Sequence, residues 1–157
     1  MGARMELVAG DVREVLLVIG TEDPGTLDDR ARFSAYLSLG GGTDPTWLDL
    51  FAQAVRMVTE ADGPRDFLDA RVEIGSPEPG GELTLERVDP AWIDAVARVA
   101  DADIDGIAGR WIDRLEEELG PIASEEKPWI RELAGQVVEF CRRADRAPEV
   151  IFLWALR

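Results

Sequence analysis

The chain has 157 residues, with 32 acidic and 17 basic side chains, a net charge of −15, no histidine and one cysteine. A chain of this length can bury a core of its own, so 1–157 is expected to form a single globular domain. The missing histidine excludes Ser-His-Asp and Cys-His catalysis and histidine-ligated zinc, and the lone Cys141 can build neither an internal disulfide nor a thiolate metal cluster.

The negative charge is spread over the whole chain: residues 1–80 hold 15 acids and 7 bases, and residues 81–157 hold 17 and 10. A field of this sign repels phosphate backbones and anionic membranes and speeds encounter with basic proteins. Nucleic acid and membrane are therefore not expected as partners. No apolar run approaches the ~20 residues that cross a bilayer. The start, Met1-Gly2-Ala3-Arg4-Met5-Glu6, lacks the basic and apolar regions of a secretory signal. With a single unpaired cysteine, these features point to a cytoplasmic protein.

In chain order, the first strong segment is Val15-Leu16-Leu17-Val18-Ile19. It is apolar on both faces and is expected to be a strand at the centre of a sheet or at an interface. Residues 32–39 alternate, with Phe33, Ala35, Leu37 and Leu39 on one face, and are expected to be a second strand. Gly40-Gly41-Gly42-Thr43-Asp44 follows, between a strand and a helix start. This loop has the setting of a phosphate cradle but lacks the P-loop Lys-Ser/Thr, and Asp44 opposes an anion. If it holds a small ligand, a neutral or cationic one is expected. Residues 45–59 place Leu48, Phe51, Val55 and Val58 at helical spacing.

Leu68, Ala70, Val72 and Ile74 alternate with charged residues in 67–74, and 82–88 alternates around Leu83 and Leu85. The Gly75–Gly81 stretch between them reads as a wide hairpin loop. A short helix of about 90–99 and two long ones follow, about 103–119 ending at Gly120-Pro121 and about 128–144. The last aligns Trp129, Leu133, Val137, Phe140 and Ala144 on an apolar stripe expected to pack in the core. The sixes Asp44-Pro45-Thr46-Trp47-Leu48-Asp49 and Asp89-Pro90-Ala91-Trp92-Ile93-Asp94 echo each other. Helix-start chemistry, an Asp cap followed by Pro, accounts for the echo without duplication. The chain closes on Val150-Ile151-Phe152-Leu153-Trp154-Ala155-Leu156, a second strand apolar on both faces. As an open edge it would invite aggregation, so it is expected beside the first strand. The expected fold is α+β: a mixed or mainly antiparallel sheet of about five strands, about four helices, and the first and last strands central.

Between two helices, Asp101-Ala102-Asp103-Ile104-Asp105-Gly106-Ile107 resembles the opening of a calcium-binding EF-hand loop, with carboxylates at positions 1, 3 and 5 and glycine at 6. The match ends there. Position 12, where a bidentate glutamate closes the site, is Ile112. The competing reading is that Asp101 or Asp103 caps a helix and the remaining acids favour its positive N-terminal end. Glu116-Glu117-Glu118 and Glu125-Glu126 are read as a solvated acidic face, of which Glu117, Glu118, Glu125 and Glu126 are candidates for partner contact together with Trp154. No cofactor is implied.

In composition the chain resembles small acidic bacterial accessory proteins, including the immunity type. The resemblance implies a non-enzymatic protein that meets a basic partner. The alternative is a carboxylate-based enzyme or small-ligand carrier, with a divalent cation at Asp101, Asp103 and Asp105 or with the glycine loop. Self-association through the apolar strands is a third expectation.

Overall fold

The computed structural model describes residues 4–21, 27, 29, 32–40, 43–60, 63–75, 83–144 and 147–155. Its elements run β1 (Arg4–Gly10), α1 (Val12–Thr21), β2 (Ala35–Ser38), α2 (Thr46–Thr59), β3 (Arg71–Gly75), β4 (Thr84–Val88), α3 (Pro90–Ala97), α4 (Asp101–Leu119), α5 (Lys127–Ala144) and β5 (Glu149–Ala155). A short 3₁₀ turn, Phe67–Ala70, leads into β3. The five strands form one sheet in the order β2-β1-β5-β4-β3, and every neighbouring pair is antiparallel. The class is α+β, with the first and last strands central as expected.

The first strand is nevertheless a different segment from the one anticipated. Val15–Ile19 lies in α1, a fifth helix, and β1 precedes it. Asp11 turns the chain from strand to helix: its Oδ1 accepts the Arg13 N–H at 2.8 Å and its carbonyl accepts the Val15 N–H at 3.1 Å. The apolar run then divides at helical spacing. Val15 and Val18 are buried, whereas Leu16 and Leu17 face outward. The 67–74 alternation is likewise divided, because 67–70 is the 3₁₀ turn. Leu68 and Val72 are exposed at 62% and 66%, and Ala70 is buried. The 32–39 strand narrows to 35–38, and Phe33 packs on the opposite side of the sheet from Ala35 and Leu39. Most of the 75–81 loop lies outside the described residues, while β3 and β4 on either side of it pair antiparallel.

The period of two in β1 and β5 distributes their side chains over two cores. Met5, Leu7, Ala9, Val150 and Phe152 face the layer of α2 to α5, and Val8, Ile151 and Leu153 face α1. The terminal strand is thus covered on both faces and paired on both edges.

On the helical side the aromatic rings form a continuous chain. Phe152 meets Phe67 at 5.0 Å, Phe67 meets Trp92 at 4.9 Å, and Trp92 meets Phe51 at 6.5 Å. Phe51 then meets Trp111 at 5.0 Å, and Trp47 links Trp111 to Trp129 with 6.0 Å between centroids on each side. These separations and edge-on tilts are those that aromatic quadrupoles favour. The chain of rings begins under the sheet and ends at the surface with Trp129.

The two Asp-Pro echoes perform the same task. Asp89 Oδ1 accepts the Ala91 N–H at 2.9 Å as the cap of α3, with Pro90 at its first position. Asp44 Oδ1 accepts the Thr46 N–H at 2.7 Å at the start of α2.

Candidate functional site

Two regions bring polar groups and exposed aromatic surface together: the corner where β2 turns into α2, and the groove between β2 and α5. At the corner, Gly40 has φ +81°, a conformation glycine adopts without penalty. The Trp129 indole lies against it, so closely that a Cβ there would stand 3.2 Å from Cζ2. Thr43 is buried, and its hydroxyl donates to the Gly40 carbonyl at 3.1 Å and the Leu39 carbonyl at 3.4 Å. Asp44 is committed to the start of α2. Gly41 and Gly42 lie outside the described residues. The described polar groups of this loop therefore serve the turn itself.

The EF-hand-like stretch is helical and forms the first turns of α4. Ala100 is at the cap position with no side-chain cap, so Asp101 and Asp103 lie inside the first turn and neither caps the helix. Helical geometry puts Asp101 and Asp105 one turn apart on the same side and Asp103 on another. Asp101 accepts from Arg142 at 2.7 Å and Asp105 from Arg131 at 3.1 Å, both across to α5. Both are strongly exposed, at 85% and 92% of the side chain. Among the described residues no three His, Cys, Asp or Glu groups converge as metal ligands would.

Of the acids proposed for partner contact, Glu117 and Glu118 are exposed and paired with Arg114, which also donates to Gln53 Oε1. Glu125 and Glu126 are exposed in the turn before α5 and make no ion pair among the described residues. Trp154 is half-buried in the central strand, and its indole N–H donates to Glu86. Trp129, which sequence spacing places in the buried stripe of the last helix, is instead the exposed tryptophan, at 39%.

One helical turn beyond Trp129 begins a groove of about 370 Å³ between α5 and β2. Leu37 is half-buried at its wall, the buried Ala35 and Phe140 lie at its base, and Glu132, Gln136 and Glu139 line it from the helix. β2 is an edge strand, with β1 on one side and this groove beside it. The residues concerned, 129, 132, 136, 139 and 143, recur at intervals of three and four, which is the signature of one helix face. That spacing was available in the sequence. The edge position of β2, which turns the face into a groove, was not.

Among the described residues two ionisable groups depart from their usual behaviour. Burial pushes the Asp49 carboxyl above the ordinary range, partly offset by the Leu68 N–H donated to Oδ1 at 2.6 Å and by the nearby Arg71 charge. Burial alone pushes the Cys141 thiol strongly up, which leaves it protonated and inert. Neither borders the groove. Among the described residues no helix is long and apolar enough to cross a membrane. Comparison with protein families, with curated proteins and with solved structures finds no match to this chain.

Proposed function

We propose that this chain is a non-enzymatic binding protein of the accessory or immunity type whose negative body meets a basic protein. One observation carries the reading: the positive charges are used up internally while many negative ones are left over. Among the described basic side chains only Arg13 and Arg110 lack an ion pair. Glu60, Asp69, Glu73, Asp113, Glu125, Glu126 and Glu132 are exposed and have none. These seven carboxylates therefore stand on the surface with no basic side chain among the described residues to offset them. Such a field steers a basic partner inward and selects against acidic ones.

Isolation of the protein from its native cell at low and at high salt tests this reading. A basic protein recovered in stoichiometric amount at low salt and lost at high salt is the expected result, because exposed charges beyond a Debye length are screened. Recovery of no partner at either salt speaks against it.

A further inference from the structure

We propose that the groove between β2 and α5 receives an extended basic segment of another protein, lying along the β2 edge with an arginine or lysine at Glu132. The inference rests on the reading of this chain as the partner of a basic protein, and it adds the place and the mode of contact.

Shape comes first. β2 spans four residues, Ala35–Ser38, or about 13 Å of strand. The helix face from Glu132 to Arg143 runs about 17 Å beside it. A short extended stretch of chain matches these two lengths. Recognition beside a sheet edge commonly works in this way, with alternate side chains of the segment directed into the groove. The half-buried Leu37, above the buried Ala35 and Phe140, suits an aliphatic side chain of the segment.

Charge then selects the occupant. Every basic residue of α5 is already taken by a carboxylate: Lys127 by Glu116, Arg131 by Asp105, Arg142 by Asp101 and Arg143 by Glu139. Glu132 is the carboxylate of the groove that has no ion pair among the described residues. One turn before it, Trp129 offers an exposed indole face, which attracts a guanidinium or ammonium group. A second copy of this chain is a poor occupant, since each copy brings a net charge of −15 to the contact.

The test uses the full chain, labelled with nitrogen-15, and a synthetic peptide of alternating arginine and valine. The glutamate-valine counterpart serves as control. Saturable amide shifts at 35–40 and along 129–143, weakened by salt and absent with the acidic peptide, are expected. Glu132→Gln should weaken binding about three- to fivefold, the scale of an exposed ion pair, and Glu132→Arg should weaken it further. Asp113→Asn, at an exposed unpaired acid on α4, should leave it unchanged, and all three variants should melt like the parent.

Shifts centred on another face, or equal loss with Asp113→Asn, would overturn the groove while leaving a basic partner in place. No binding even at low salt would overturn both. Concentration-dependent shifts at the same residues without peptide would give the groove to a second copy and overturn the proposal as well.

Discussion

Arg71 Nη1 stands 2.7 Å from Glu86 Oε1 across the β3–β4 pairing, with only 5% and 13% of the two side chains exposed. The same carboxylate oxygen accepts the Trp154 indole N–H, and the Arg71 guanidinium lies over the rings of Phe67 and Phe152 at 5.2 and 5.5 Å. One carboxylate therefore ties the central strand to the β3 edge. Removing it leaves a buried guanidinium and an indole donor without their acceptor. Breaking a buried pair from one side costs about 3–5 kcal/mol, whereas replacing both partners by apolar groups is often close to neutral. Glu86→Ala is therefore expected to lose stability on that scale in urea unfolding. The double variant Arg71→Met with Glu86→Leu should recover most of the loss. A double variant as unstable as the single one would show that the pair itself, and not the stranded charge, holds the edge.

Asp49 gives a pH dependence whose sign can be worked out. Its folded-state pKa lies above the unfolded value, so the folded chain binds the proton more tightly. The favourable contribution is complete below the unfolded value, near 3.8, and is lost as pH rises through the folded one. Asparagine keeps an oxygen for the Leu68 N–H and carries no charge. Asp49→Asn is accordingly expected to equal or exceed the parent in stability at neutral pH, with the gap closing as pH falls toward 4. Asp49→Ala removes the acceptor and should cost about 1 kcal/mol at neutral pH. Chemical denaturation of the three proteins across that pH range checks the order.

The difference between the anticipated and the observed fold lies in what periodicity can and cannot carry. Helices α2, α4 and α5 are legible because their apolar residues repeat at one spacing only, and Asp44-Pro45 before α2 and Gly120-Pro121 after α4 mark an end of each of those two. The Val15–Ile19 run is apolar at every position, so it satisfies a strand pattern and a helix pattern alike. The Asp11 cap and the alternation of Met5, Leu7 and Ala9 just upstream were the signals that resolve it. Trp129 shares the helical phase of Leu133 and Val137, yet it sits in the first turn of α5, where it reaches the layer below through Trp47 and stays partly open to solvent. Its exposure, like the groove beside β2, depends on where neighbouring elements end. No spacing within α5 encodes that.

Cys141 is expected to report unfolding. The side chain is fully buried in α5 and burial holds the thiol in its protonated form. A thiol reagent such as an aromatic disulfide should therefore leave the native protein unlabelled at neutral pH and label it once in denaturant. Cys141→Ala should cost about 1 kcal/mol, while Cys141→Ser should cost more by burying a hydroxyl. Rapid labelling of the native protein would place the thiol in a more open setting than the packing of α5 allows.

Two glycines, one inside α4 and one at the β2–α2 corner, should respond oppositely to alanine. Gly109 sits within α4, and a Cβ built there meets nothing within 4 Å, so Gly109→Ala gains helix propensity without a steric cost. An increase of about 0.5–1 kcal/mol is expected. Gly40 has φ +81° and the Trp129 ring 3.2 Å from the position of a Cβ. Gly40→Ala should lose about 1–2 kcal/mol from the left-handed backbone alone. It must also push the indole away from the β2–α2 corner, so the loss should come with a change in tryptophan emission that Gly109→Ala does not show. Equal responses of the two variants in unfolding midpoint and emission would mean that Trp129 does not rest on Gly40, and the aromatic end of the groove would lose its support.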